Sequence, residues 1–251
     1  MKIISLVPSI TEALFDLGLT KDEIIGRTKF CIHPENQVKN VAVIGGTKSI
    51  NIEKIRSLNP DIIIANKEEN TKEDVEELQK YFKVLVTNIS TLEDNYYLLK
   101  TLGNLLDKQE IAQKYNSKIN EIFQDIQCTE KKSCAYLIWQ NPYMTVGSDT
   151  FIHAVLDQIG FENIFKTQKI YPEISIKELK VAEFVFLSTE PFPFKQKHVD
   201  ELQKLLPDSK VILVDGEAFS WYGTHLAKCE SYFKNLLEIC KQKKESFAKV
   251  P

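Results

Sequence analysis

The stretch 73-EDVEELQKYFKVLVTN-88 recurs later in the chain as 197-KHVDELQKLLPDSKVILVDG-216. Both copies carry the pattern V-[ED]-E-L-Q-K, followed by an apolar pair and then by a short apolar run that begins with Lys-Val. Upstream, 50-INIEKI-55 resembles 174-ISIKEL-179. Two further pairs match in the same order, 61–68 with 183–190 and 11–19 with 153–161. Four matched segments in one order indicate a duplicated unit of strands and helices.

Alternating strands and helices predict a parallel sheet with right-handed crossovers in each copy. The run 3-IISLV-7 is continuous and β-branched, as expected of a strand buried on both faces. After it, Ser9 and Glu12 have the spacing of a capping box, so we expect Ser9 to cap a helix and Glu12 to reach back to it. The predicted fold class is α/β, with two Rossmann-like lobes.

A long helix is predicted between the two copies. Ile111, Tyr115, Ile119, Ile122 and Ile126 fall on one helical stripe. About twenty residues of such a helix would extend roughly 30 Å. We therefore expect two lobes that are joined by one spanning helix. The predicted boundaries are an N-terminal lobe at 1–91, the spanning helix at 92–132 and a C-terminal lobe at 133–251.

Composition narrows the possible partners. The 251 residues are 43% hydrophobic and 27% charged, close to the average for globular proteins, with a formal net charge of −3. This balance argues against binding to nucleic acid or to an anionic membrane, which requires a clustered basic surface. The apolar runs are much shorter than the about 20 residues of a membrane span. We expect a monomer that is not embedded in a membrane.

Cysteine usage and the first residues bear on location. The five cysteines are odd in number and lack tight spacing, which fits a reducing compartment better than a disulfide framework. No secretory signal is evident, since only Lys2 precedes an apolar run that leads directly into a predicted helix. The sequence as written predicts a cytoplasmic protein. A periplasmic or cell-surface location is expected if an export signal has been removed.

Aromatic residues concentrate in the loops at the carboxyl ends of the predicted strands, where open parallel sheets bind ligands. Flat apolar faces with polar tips suit a large planar ligand. Packing of each ring on its own lobe is the alternative for every one of these side chains. The rim contains Phe30, Trp139, Tyr143, Tyr171, Phe192, Phe194, Phe219, Trp221 and Tyr222. We expect all of these except Phe219 to form the walls of a ligand cleft.

Polar candidates lie in the loops of the first lobe. Arg27, Lys29 and Lys48 are expected to meet carboxylates or phosphates of the ligand. His33 is the candidate axial ligand to a metal that an organic chelate already holds, and a simple polar contact or cap is the alternative. No direct metal site is expected, because the histidines are dispersed and such a site needs three or four convergent ligands.

Catalytic motifs are absent from the sequence. The segment 44-IGGTKS-49 lacks the spacing of a phosphate loop, so a tight turn is the better interpretation. Cys31 and His33 lie close in sequence, but no oxyanion loop accompanies them. We expect no catalytic residues and no required cofactor.

The chain resembles the class III, helical-backbone substrate-binding proteins of ABC importers that bind cobalamin and ferric siderophores. The resemblance rests on 5-SLVPSITEAL-14, on 60-PDIII-64 and on 141-NPYMTVGSDTFIHAVLDQIGFENIF-165. It implies a non-catalytic protein that captures a metal chelate between its lobes. Cobalamin or another corrinoid is the first expectation, and a ferric siderophore or heme the second.

The resemblance also implies docking onto an ABC permease through an acidic residue on each lobe. Ser220 lies where the cobalamin-binding branch tends to carry an acid, so other acids would substitute. The candidates are Glu68, Glu73, Glu190 and Glu217. The alternative is that these four glutamates are ordinary solvated charges on the surface. Two other functions stay open, a cytoplasmic carrier or sensor of the same ligands, and a two-lobed enzyme that acts on a nucleotide sugar or a metallocofactor.

Overall fold

The computed structural model describes residues 1–126 and 130–242. The chain divides into two compact units. Unit 1 consists of Met1–Ile89, Glu93–Ser117 and Tyr222–His225, and unit 2 consists of Ser90–Leu92, Lys118–Trp221 and the described residues from Leu226 onward. Cys128 and the last residues of the predicted lobe at 133–251 lie outside the described residues. The predicted domain boundaries stay a prediction.

Elements up to residue 106 belong mainly to unit 1. The strands are β1 (Ile3–Ser5), β2 (Ile24–Arg27), β3 (Ala42–Val43), β4 (Gly45–Gly46), β5 (Ser49–Ile50), β6 (Ile62–Asn66) and β7 (Val84–Thr87). The helices are α1 (Pro8–Asp16), α2 (Glu35–Val38), α3 (Ile52–Leu58), α4 (Lys72–Gln79) and α5 (Leu92–Leu106).

The main sheet of unit 1 is parallel, with the strand order β3-β2-β1-β6-β7. Strand β1 pairs in register with β6, so that Ile3 lies opposite Ile62. Every residue of β1 and β6 is buried. These strands lack the polar alternation of a half-exposed strand because they are central strands of a parallel sheet, in which both faces are covered.

The described residues after 106 form α6 and a second set of strands and helices that belongs mainly to unit 2. The strands are β8 (Lys132–Trp139), β9 (Tyr143–Thr145), β10 (Phe161–Asn163), β11 (Glu173–Ile174), β12 (Phe184–Ser188) and β13 (Lys210–Val214). The helices are α6 (Gln109–Ile126), α7 (Phe151–Gln158), α8 (Ile176–Leu179), α9 (Gln196–Leu205), α10 (Gly216–Ser220), a 3-10 helix at Gly223–Lys228 and α11 (Glu230–Lys241).

The sheet of unit 2 is mixed, which corrects the prediction of a purely parallel sheet. Strands β10, β8, β12 and β13 pair in parallel, but β9 runs antiparallel to β8 and to β11. The segment after Trp139 is therefore a hairpin and not a crossover loop. Asn141 adopts a left-handed conformation with φ 65°, and the chain reverses between Trp139 and Tyr143. Asn tolerates this conformation better than most residues.

The two sheets share one order of parallel strands. In unit 1 the order β2-β1-β6-β7 is parallel throughout, and in unit 2 the order β10-β8-β12-β13 is also parallel. Helix α4 precedes β7 in the same way that α9 precedes β13. The α/β fold class with two Rossmann-like units is confirmed.

The predicted helix over 92–132 consists of two helices, α5 and α6, in the described residues. Asp107 between them has φ 54°, a left-handed conformation that interrupts a helix. Gly103 permits a close approach, since a β-carbon there would lie 2.7 Å from Cβ of Ala112. Along α6 the predicted stripe is buried at Ile119, Ile122 and Ile126. Among the described residues, no helix is both long enough and apolar enough to cross a membrane.

Helix α1 begins two residues earlier than the predicted capping box at Ser9 requires. Val7 occupies the cap position, no side chain caps the helix, and Pro8 is the first helical residue. Proline is favoured there because its fixed φ suits the first turn and its missing N–H would have no helical partner. Glu12 is consequently not a cap. Its side chain is buried inside unit 1 and contacts His225.

Candidate ligand-binding surfaces

The loop after β2 presents exposed apolar side chains in unit 1. Phe30 is 50% exposed and Ile32 is 47% exposed. The Phe30 ring lies over Gly46, where a β-carbon would approach Cε2 of that ring to 3.4 Å. Nζ of Lys29 lies 5.0 Å from the centroid of the Phe30 ring. Phe30 and Lys29 therefore form an aromatic and cationic surface, and its contact with a ligand stays a prediction. Ile32 was not predicted, although an isoleucine in a polar loop is a detectable signal.

The other two predicted cations contact backbone oxygens. Arg27 donates from Nε to the carbonyl of Val38 at 3.0 Å and from a terminal nitrogen to the carbonyl of Thr28 at 3.1 Å. Lys48 donates from Nζ to the carbonyl of Glu68. These bonds tie neighbouring loops together. Contact of Arg27 and Lys48 with ligand anions stays a proposal, and Lys29 is the best placed of the three.

His33 lies beside a second histidine that the sequence did not connect with it. The rings of His33 and His225 are 6.4 Å apart between centroids, with an interplanar angle of 29°. Nδ1 of His225 is 2.8 Å from Oε2 of Glu12, and the two side chains are 13% and 5% exposed. Within the described residues, no group of three or more His, Cys, Asp or Glu side chains could hold a metal ion. Axial coordination of a chelated metal by His33 stays a prediction.

Cys31 is buried beside this loop. Its Sγ accepts a hydrogen bond from Oγ1 of Thr11 at 3.1 Å and lies 3.2 Å from Oγ1 of Thr28. Burial raises the pKa of the thiol, against the lowering effect of these hydrogen bonds. A buried thiol with a raised pKa is a poor nucleophile. The side chain therefore serves packing and gives no support to a Cys–His catalytic pair.

Trp139 is the exposed aromatic side chain at the carboxyl end of β8 in unit 2. It is 41% exposed, and its ring meets the ring of Phe192 edge-on, with centroids 5.6 Å apart and an interplanar angle of 69°. Across the hairpin, the Tyr143 hydroxyl accepts a hydrogen bond from Nε2 of Gln140 at 3.3 Å. Tyr143, Tyr171 and Phe192 are partly buried. The carboxyl end of β8 thus carries aromatic side chains, and their contact with a ligand stays a prediction.

Several predicted wall residues lie in the interior instead. Phe194 is 3% exposed and belongs to a core cluster of unit 2. Trp221 and Tyr222 are each 6% exposed, and Phe219, also on the predicted rim, is fully buried. Burial of such rings removes apolar area from water. Phe194, Trp221 and Tyr222 are therefore buried in this structure, and their role as walls of a ligand site stays a prediction.

Glu190 is a partly buried acid with partners inside unit 2. Its Oε1 accepts hydrogen bonds from Oγ of Ser220 at 2.5 Å and from Nε1 of Trp221 at 3.1 Å. Burial raises the pKa of Glu190, the carboxylates of Glu217 and Asp215 act in the same direction, and the two hydrogen bonds oppose them. These hydrogen bonds tie Oε1 of Glu190 to the segment Ser220–Trp221, and docking through Glu190 stays a prediction.

The other predicted docking acids lie nearer to the surface. Glu68 is exposed after β6, and its backbone N–H donates to Oδ1 of Asn66 at 2.8 Å. Glu73 is exposed in the first turn of α4, and Glu217 is partly buried in the first turn of α10. Docking through these acids stays a proposal.

Replacing Glu190 by glutamine is expected to leave the protein at least as stable at neutral pH. Because burial raises the folded-state pKa, the folded protein keeps a proton that the unfolded chain has already lost. The stability of the wild type therefore falls as pH rises from the usual glutamate pKa through the raised one, and Glu190→Gln removes this dependence. Urea unfolding between about pH 4 and pH 8 measures the difference.

Glu178→Gln provides a control of opposite sign. Hydrogen bonds from the backbone and side chain of Ser175 lower the pKa of Glu178. The stability from this exposed group is present above the usual pKa and is lost as pH falls through the lowered one.

A loss of stability at neutral pH in the Glu190 variant would show that its two hydrogen bonds outweigh the cost of burying the charge.

Comparison with known proteins places the chain among binding proteins. The family model described as periplasmic binding protein matches residues 3–185, more than half of the chain. The vitamin B12-binding protein of Vibrio campbellii is 28% identical over 184 residues, which cover 71% of this chain and 66% of that protein. The vitamin B12-binding protein of Vibrio vulnificus (strain CMCP6) is 29% identical over 195 residues, which cover 74% of this chain and 71% of that relative.

Solved structures share the fold at lower identity. The periplasmic vitamin B12 binding protein BtuF of Vibrio cholerae has a TM-score of 0.80 and 20% identity, with 96% of this chain and 98% of that chain covered. IsdE of S. aureus, complexed with heme, has a TM-score of 0.80 and 15% identity, with 96% and 99% covered. These solved structures support the fold, and the family model matches most of the chain. The chain belongs to the periplasmic binding protein family.

Proposed function

We propose that this protein is a non-catalytic substrate-binding protein of an ABC-type import system. Its ligand is a large metal chelate, with cobalamin or another corrinoid first and a ferric siderophore or heme second. Family membership supports the binding role. The vitamin B12-binding names of the relatives that match the sequence support the order of ligands.

The observation that carries the proposal is the exposure of single aromatic rings at strand ends. Phe30 follows β2 in unit 1 and Trp139 ends β8 in unit 2. At 50% and 41% exposure, both rings leave apolar faces in water, which costs free energy that a flat ligand recovers by covering them. Lys29 beside Phe30 adds a positive charge suited to an anionic group of the ligand.

The location and the partner follow from the same family. A periplasmic or cell-surface location fits a periplasmic binding protein, in place of the cytoplasmic location expected from the sequence as written. Docking on a permease would use Glu68 or Glu73 in unit 1 and Glu217 in unit 2. Their carboxylates lie on or near the surface of their units, which suits polar contacts at the rim of a transient interface.

Titration of tryptophan fluorescence with cyanocobalamin, hemin and a ferric siderophore tests the proposal. The chain has two tryptophans, and Trp139 is the exposed one. Saturable quenching by one chelate at micromolar or lower concentration is the expected result. Indifference to all of the chelates would contradict the proposed function.

Replacing Trp139 by alanine is expected to weaken binding of the chelate by about 1–3 kcal/mol, or about 5- to 150-fold in Kd, because a stacked indole contributes both area and ring contact. Isothermal titration calorimetry measures the change. Tyr97→Ala, which removes a 70% exposed ring on α5, is the matched control and should leave the Kd unchanged. Equal losses in both variants would exclude Trp139 as a specific contact.

A further inference from the structure

The ring of Phe192 packs against the exposed indole of Trp139. The two rings meet edge-on at 5.6 Å, a geometry favoured by the positive edge and negative face of aromatic rings. The backbone also connects the two segments, since the N–H of Phe192 donates to the carbonyl of Ile138 at 3.2 Å. Ring and backbone contacts therefore join the loop after β12 to the last residues of β8.

Phe192 is itself held by an aromatic cluster that reaches into the core. Its ring lies 4.7 Å from Phe194 and 5.6 Å from His198, and those two rings are 5.5 Å apart. Phe194 is 3% exposed and packs within the core of unit 2. Nδ1 of His198 accepts the backbone N–H of Lys195 at 2.8 Å, which fixes the imidazole in the first turn of α9.

We propose that Phe192 is a positioning residue that holds the indole of Trp139 in one orientation for the ligand. The inference rests on the proposed function. The sequence pattern predicts that Phe192 contacts the ligand, whereas here Phe192 contacts Trp139, which in turn contacts the ligand. An isolated tryptophan at a strand end would lose rotamer freedom when a ligand covers it, and that loss weakens binding. Because Phe192 orders the ring in the free protein, the ligand meets a surface that is already arranged.

A fixed aromatic face also favours one class of ligand. A rigid planar chelate matches a rigid ring over its whole area, whereas a flexible ligand must be ordered at its own cost. The support of Trp139 by Phe192 therefore favours flat macrocyclic chelates over flexible, open-chain ones. This preference concerns the same site as the proposed function.

Indole N–H signals in 1H–15N NMR spectra test the positioning without any ligand. The protein has two tryptophans, so two signals are expected, and Trp139→Phe assigns them by loss of one. In Phe192→Leu, the Trp139 signal should shift and broaden because the ring current and the edge contact are lost. Trp221, whose Nε1 donates to Glu190, is an internal control and should keep its position.

Binding of cyanocobalamin then tests the consequence for the ligand. Phe192→Leu is expected to weaken binding by about 2- to 10-fold, the range of one aromatic pair. In a Trp139→Ala background the same substitution should have no further effect, since a positioning residue acts only through the residue it positions. The Kd values of the wild type, the two single variants and the double variant together give the coupling energy between Phe192 and Trp139.

A variant elsewhere in the core separates positioning from general destabilisation. Phe161→Leu removes a ring that is 1% exposed and packs on Phe184 and Phe186, so it should lower stability without moving the Trp139 signal. An unmoved Trp139 signal in Phe192→Leu, or an undiminished effect of that variant in the Trp139→Ala background, would overturn the proposal. Failure of the wild type to bind any chelate would overturn the proposed function instead, while the NMR shift still decides whether Phe192 holds Trp139.

Discussion

Replacing Phe219 by alanine is expected to lower the free energy of unfolding by about 3–5 kcal/mol, the usual cost of a large cavity in a core. The ring is fully buried, and its centroid lies 5.1 Å from that of Tyr136 and 5.6 Å from that of Phe233. Phe186 and Tyr232 complete the cluster at 6.5 Å and 6.4 Å. Urea denaturation followed by circular dichroism measures the change.

Phe30→Ala is the matched control for this prediction. Both residues are phenylalanines in loops or short helices near strand ends, but Phe30 is 50% exposed. Its removal should change the free energy of unfolding by no more than about 0.5 kcal/mol, as for most surface substitutions. A loss in Phe219→Ala as small as the one expected for Phe30→Ala would contradict a core position for Phe219.

Removing His225 is expected to cost about 1–3 kcal/mol, because the buried carboxylate of Glu12 then loses a hydrogen-bond partner. The contact joins Nδ1 of His225 to Oε2 of Glu12 at 2.8 Å, between α1 and the segment Tyr222–His225 of unit 1. A double-mutant cycle with His225→Ala and Glu12→Ala isolates the coupling between the two side chains. Urea unfolding of the four proteins supplies the values.

An exposed ion pair gives the reference for that cycle. Nζ of Lys80 is 2.5 Å from Oε2 of Glu77, and the two side chains are 64% and 35% exposed. Exposed ion pairs contribute little to the free energy of unfolding, since water screens them. A coupling between His225 and Glu12 as small as that of the surface pair would show that the histidine does not stabilise Glu12.

The α/β fold could be predicted because it depends on local patterns. Continuous apolar runs such as 62–64 and 184–187 are buried strands, and the stripe from Ile119 to Ile126 is the buried face of α6. The break at Asp107 was missed because no Pro or Gly marks it. The hairpin after Trp139 was also missed, because an apolar segment after a strand fits a covered loop and a return strand equally well.

The candidate site could be predicted only in part. Strand-end position identified the loops of Phe30 and Trp139, and both rings are exposed. The same reasoning selected Phe194, Trp221 and Tyr222, which are buried. Composition cannot distinguish these cases, since an aromatic side chain in a loop either covers its own core or remains in water. The choice depends on which hydrophobic surface lies within its reach.

The sequence by itself determined the repeat, the order of strands and helices and the family resemblance, because periodic burial and repeated motifs are properties of neighbouring residues. Only the tertiary structure decided which side chains face water and which residues distant in the chain meet. Glu12 shows the difference, since its spacing from Ser9 predicts a local cap, whereas its contact is with a histidine 213 residues away. The long-range contact outweighs the local capping preference of Glu12, because a buried carboxylate needs a hydrogen-bond partner and the fold supplies one.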